Sequence, residues 1–177
     1  MYSLEPFKID LAGLKEGDTA FAYDLDDAYF AAVEAPEVSR GRVHVSLTAN
    51  RSGGVFRLGF HIEGTVHVPC DICLDDMEQE ISADNSLTAR IGEEYSEDDD
   101  LVTVGKDDPV LDVSWFIYEF IALGIPIKHV HAPGKCNPAM IKLLEEHSAA
   151  RSGEGDDEEP VDSRWSELEK LKTTLKD

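Results

Sequence analysis

The sequence predicts an α+β fold, in which residues 5–105 form an antiparallel sheet, open or barrel-like, and helices from the second half pack on it. Three observations predict it. The first half alternates apolar and polar side chains in segments divided by glycine and proline, which is the pattern of half-buried strands. The second half gives up that alternation for apolar runs bounded by helix start and stop residues. The chain has 177 residues, 42% of them hydrophobic, which is enough for one sizeable core.

Phe7, Ile9 and Leu11 alternate with Lys8 and Asp10, so this segment reads as a strand ending near Gly13, with residues 18–24 as its expected partner. Asp26 and Asp27 precede the run 28–33 as a helix start would, and Pro36 limits the helix. Val43, Val45 and Leu47 then alternate with His44, Ser46 and Thr48. The turn Arg51-Ser52-Gly53-Gly54 sends the chain back through Val55–Val68, and this is the clearest hairpin in the sequence. A corner at Pro69–Leu74 leads into a further strand over Met77–Ile91, and Leu101–Val104 reads as a short one after an acidic loop at 93–100.

Ser114 is the expected N-cap of a buried helix over 115–123, which Gly124 and Pro126 stop. Asn137-Pro138 opens another helix, since asparagine caps and proline suits the first helical position. The organisation expected is one α+β domain at 1–147, an acidic linker at 148–160, and a C-terminal amphipathic helix at 161–177 carrying Trp165, Leu168, Leu171 and Leu175. That helix suits docking on its own sheet or on a partner.

The net charge is −21, from 37 acidic and 16 basic residues. Nucleic-acid affinity comes from neutralising phosphates, so this balance disfavours direct binding to RNA or DNA and favours basic proteins as partners. The longest apolar stretch, 115–127, is too short and too interrupted to span a bilayer, which excludes it as a membrane anchor. Three cysteines, an odd number, and no charged-then-apolar leader after Met1 point to a reducing, cytoplasmic setting.

Those cysteines are the strongest candidates for chemistry. Cys70 and Cys73 form a C-x2-C step at the strand corner, and Cys136 lies just after His129 and His131. Cys70, Cys73, His131 and Cys136 make a complete Cys3His set for structural zinc, with His129 as a substitute ligand. The competing readings are inert small residues at a corner, or a redox pair. Against zinc, the step lacks the glycine that usually follows and lets amides turn toward the sulfurs. Against redox, Asp71, Asp75 and Asp76 oppose thiolate formation, whereas a bound dication would offset their field. His44, His61 and His67 fall on a solvent face as structural imidazoles. No nucleophile elbow, phosphate-binding glycine loop or zinc-protease helix is present in the sequence, so no catalytic residues, small-molecule substrate or organic cofactor are expected.

The run Gly64-Thr65-Val66-His67-Val68-Pro69-Cys70-Asp71-Ile72-Cys73-Leu74, then Asp112-Val113-Ser114 opening an apolar helix, then Gly124-Ile125-Pro126-Ile127 and a late cysteine, resembles the YceD family of large ribosomal RNA subunit accumulation proteins. The resemblance extends over about residues 20–172. It implies a role in accumulation of 23S ribosomal RNA and in large-subunit biogenesis; with the net charge and the missing catalytic motifs, the expectation is a non-catalytic factor whose partner is a basic ribosomal protein or assembly factor. In one common pattern of the family the late cysteine belongs to a second pair, and here Cys136 stands alone. The alternative function is that of a small zinc-binding or thiol- and metal-handling protein.

Overall fold

The computed structural model describes residues 2–98 and 101–147. Residues up to Leu143 form one compact unit, and α3 runs past its end to His147. The linker expected at 148–160 and the helix expected at 161–177 lie outside the described residues.

In chain order the elements are β1 (Lys8–Asp10), β2 (Gly17–Leu25), α1 (Asp27–Ala32), β3 (Gly41–Ser52), β4 (Val55–Pro69), β5 (Asp76–Gly92), β6 (Ser96–Asp98), β7 (Leu101–Gly105), β8 (Val110–Asp112), α2 (Ser114–Leu123) and α3 (Pro138–His147). A single 3-10 turn at Glu5–Phe7 precedes β1. The main sheet has the order β2-β3-β4-β5-β7-β6 and is not closed into a barrel. It is antiparallel except where β5 and β7 run parallel.

Alternation fixes which face is inside. In β3, Val43, Val45, Leu47 and Ala49 are buried while Arg42, His44, Ser46 and Thr48 are exposed; in β4, Phe56, Leu58, Phe60 and Ile62 continue the inner face. Helix α2 lies on that face, with Phe120 edge-on to Phe60 at 5.0 Å between ring centroids. Phe7 stacks on Tyr23 at 4.7 Å, and Tyr29 packs against both Phe7 and Phe30. Two hydroxyls fasten the α1 region to α2: Tyr29 donates to the Ser114 carbonyl at 2.8 Å, and Tyr118 Oη accepts from the Glu37 amide at 3.1 Å.

Three expectations are corrected. Strand β1 does not pair with residues 18–24; it pairs with β8 in a separate two-stranded ribbon, while β2 pairs with β3. Ser114 is the first helical residue rather than the cap, because Asp112 Oδ1 accepts from both its amide (2.9 Å) and its hydroxyl (2.6 Å). The acidic stretch read as a loop contains the edge strand β6, whose exposed Glu97 and Asp98 are the kind of charge that discourages edge pairing with other chains. The cap of α1 is as expected, with Asp26 accepting from Ala28 and Tyr29, and Asn137 accepts from Ala139 at the start of α3. No helix among the described residues is long and apolar enough to cross a membrane.

Candidate metal centre

The corner between β4 and β5 is a tight loop held by its own backbone. The Cys70 amide donates to the Asp75 carbonyl at 2.8 Å, and the Leu74 amide returns to the Cys70 carbonyl at 2.9 Å. Reversing direction that quickly needs a residue with positive φ. Leu74 supplies it at φ 62°, in the place where the sequence lacks a glycine. The Ile72 amide consequently lies 3.5 Å from Cys70 Sγ, so the amide-to-sulfur arrangement that the missing glycine argued against is made without it.

The other two residues arrive from far along the chain. After α2 ends at Gly124, the segment through Pro126 runs back beside the corner, where it is pinned by Asp71. The Asp71 amide donates to the His129 carbonyl (3.0 Å), and its carboxylate accepts from the His129 amide (2.7 Å). Asp75 accepts from Asn137 Nδ2 at 3.2 Å, holding the residue after Cys136. These two aspartates straddle the late segment, a positioning role that charges beside thiols do not announce. The signal available was Asp71 inside the C-x2-C step and a capping Asn137 directly after the late cysteine.

The structure thereby brings Cys70, Cys73, His131 and Cys136 together. Their four ligand atoms all lie within 4.8 Å of one another. Cys70 Sγ is 3.9 Å from Cys136 Sγ, Cys73 Sγ is 3.4 Å from His131 Nδ1, and Cys136 Sγ is 4.0 Å from the same nitrogen. A tetrahedral zinc ion with ordinary Zn–S and Zn–N bonds separates its ligands by about 3.5–3.8 Å. The residues present therefore fit such an ion in type, number and spacing. All three thiols are free, with Cys70 and Cys73 buried. His129 is not part of the cluster: its Nδ1 donates to the Pro126 carbonyl at 3.0 Å, and its Nε2 lies 3.5 Å from Asp71.

Burial raises the Cys70 thiol, but hydrogen bonds from the Cys73, His131 and Ile72 backbone and from the His131 ring outweigh it and bring the group down to about 6. Asp71 and Asp75 are turned onto donors of the late segment and Asp76 onto His67 and Arg40, and none of the three is among the groups that move Cys70. Cys136 moves the other way, pushed up to about 11 by burial and then by its hydrogen bonds to Cys70 and Cys73. The hydrogen bonds thus favour Cys70 as the sulfur that carries negative charge, and a bound dication would draw the proton from Cys136.

The three strand histidines lie elsewhere, on the outer face of the sheet. Each meets an aspartate through Nδ1: His44 with Asp24, His61 with Asp84, and His67 with Asp76, at 2.7–2.8 Å.

Residues 58–172, more than half of the chain, match the family described as large ribosomal RNA subunit accumulation protein YceD. The chain belongs to the YceD family. The match begins within β4, later than the start near residue 20 that the sequence resemblance suggested, and it includes all four residues of the cluster. No curated protein and no solved structure matches the chain. The YceD assignment connects the cluster to a family described by ribosomal RNA accumulation rather than by an enzymatic reaction.

Proposed function

We propose that this chain is a non-catalytic factor in accumulation of 23S ribosomal RNA, acting in large-subunit biogenesis through contacts with a basic ribosomal protein or assembly factor in the cytoplasm. The observation that carries the reading is the YceD match over 58–172. The charge of −21 supports a protein partner, because an acidic surface attracts Lys- and Arg-rich proteins and repels free RNA. Within this role Cys70, Cys73, His131 and Cys136 hold structural zinc, which ties the late segment to the corner. When bound, the ion supplies a rigid cross-link; the chain's own contribution is to orient the sulfurs and exclude water from Cys70 and Cys73.

Depletion of the protein lowers the ratio of 23S to 16S ribosomal RNA, and the full chain retains large-subunit proteins at low salt and releases them as salt rises. An unchanged ratio, together with no retained ribosomal component, would reject the proposal. A second reading, a metal-handling protein, is favoured only by the cluster geometry. Protein purified without chelator contains about one zinc per chain, and Cys73→Ala removes it with a lower melting temperature. Absence of zinc and unchanged melting of the variant would remove the metal from both readings.

A further inference from the structure

Helix α2 buries Phe116, Ile117, Tyr118 and Ile121 against the sheet and the α1 region, and leaves apolar side chains exposed at Trp115 and Leu123. Trp115 is 45% exposed, Leu123 76%, and Ile127, just beyond the helix, is fully exposed. Leu123 and Ile127 each line one of two hollows, of about 480 and 390 Å³, that share Glu37 and Ala122 and so form one groove. One wall is the loop after α1, fixed by the bond between the Glu37 amide and Tyr118; the other is the Ile125–His129 segment. The carboxylates lining the groove are Glu37 and Glu119, the latter also accepting from Trp115 Nε1 at 2.8 Å, and among the described residues the one cation beside it is the exposed Lys128 between Ile127 and His129. Its imidazole, His129, is turned onto Asp71 and the Pro126 carbonyl.

We infer that this groove docks a basic amphipathic segment of a protein partner, with apolar side chains against Leu123 and Ile127 and cations against Glu37 and Glu119. The inference rests on the reading that the chain acts through protein contacts. A contiguous exposed apolar surface is a recognition feature, and amphipathic segments enter such grooves with their apolar face. The charge selects among occupants. A polyanion meets two carboxylates against the single cation Lys128. A second copy docked about a two-fold axis sets acidic rim against acidic rim. A purely apolar segment takes the carboxylates out of water and gives them no cation, with only the Trp115 indole donating to Glu119, which is costly. A lysine- or arginine-bearing segment satisfies both parts of the groove.

The test uses the full chain and a fluorescent amphipathic leucine–lysine peptide, read by anisotropy at low salt. Leu123→Ser with Ile127→Ser, both at exposed positions, weakens binding at least tenfold without changing the melting temperature. Glu37→Gln with Glu119→Gln weakens it about three- to tenfold, and Glu63→Gln with Glu78→Gln on the outer sheet face leaves it unchanged. Equal affinity in the serine variant, or equal loss in the sheet-face variant, would overturn the inference, as would self-association of the wild-type chain that the serine changes abolish. A parallel arm measures retention of proteins stripped from large ribosomal subunits. If the peptide results hold and no such protein is retained, the groove stands and the ribosomal reading falls. If those proteins are retained equally by wild type and serine variant, the ribosomal reading stands and the groove falls.

Discussion

Asp71→Ala tests whether the late segment is positioned by this one side chain. The Asp71 carboxylate accepts the His129 amide at 2.7 Å, with His129 Nε2 3.5 Å away, and its side chain is 40% exposed. The backbone link from the Asp71 amide to the His129 carbonyl survives the change. A hydrogen bond to a charged group contributes about 1.5–3 kcal/mol, and partial exposure reduces this to about 1–2 kcal/mol. For a chain of this size that lowers Tm by about 2–8 °C. His131 lies two residues along, so zinc affinity falls as well, by about tenfold at most, the lower end of the loss when a group bonded directly to a ligand is removed. The stability loss is measured by urea unfolding of metal-free protein, and the affinity loss by competition with a chromophoric chelator. Asp71→Asn keeps an oxygen for the His129 amide and recovers at least half of each loss. Zinc affinity within about twofold of wild type, with an unshifted urea midpoint, would show that other contacts position the segment.

Leu74→Gly relieves a left-handed residue at a cost in chain entropy; positive φ costs leucine about 1–2 kcal/mol and glycine returns about 0.5–1 kcal/mol of that, so thermal melting stays equal or rises slightly, while Leu74→Val lowers it. Gly64→Ala puts a Cβ 2.3 Å from the Arg42 carbonyl oxygen across the β3–β4 pair and destabilises by about 1–3 kcal/mol in urea unfolding. His61 is raised by its hydrogen bonds to Asp84 and Glu63, so this interaction stabilises fully below about pH 6.5 and is lost as pH rises through the folded value. Asp84→Asn lowers the His61 titration midpoint seen by NMR and flattens that pH dependence. An unmoved midpoint would mean that the pair does not persist in solution.

The parts of the fold that were legible are those where local pattern and tertiary burial agree. Strict alternation over Val43–Leu47 and Phe56–Ile62 leaves one register that buries every apolar residue, so the hairpin could be read directly. Strand β1 could not be paired that way: three residues carry little register information, and β8 lies about a hundred residues on. The parallel β5–β7 pair was hidden for a related reason, since an acidic crossover looks like solvated loop until its edge strand is seen. At the candidate centre, residue types and spacing identified the four side chains. The turn at Leu74 and the clasp by Asp71 were not legible, because one looks like an ordinary apolar residue and the other like an unfavourable charge.

The clasped segment has a consequence for how the molecule opens. His131 and Cys136 lie between α2 and α3 on backbone outside any regular element, and their contacts with Cys70 and Cys73 close a loop of more than fifty residues. Sheet strands lose their amide protection together with the whole core, whereas a segment held by a few side chains opens at lower free energy. Among the described residues, 125–137 are expected to exchange amide hydrogens before the sheet strands do, and to dock after them during folding. The corner at Cys70–Cys73 remains assembled while it waits.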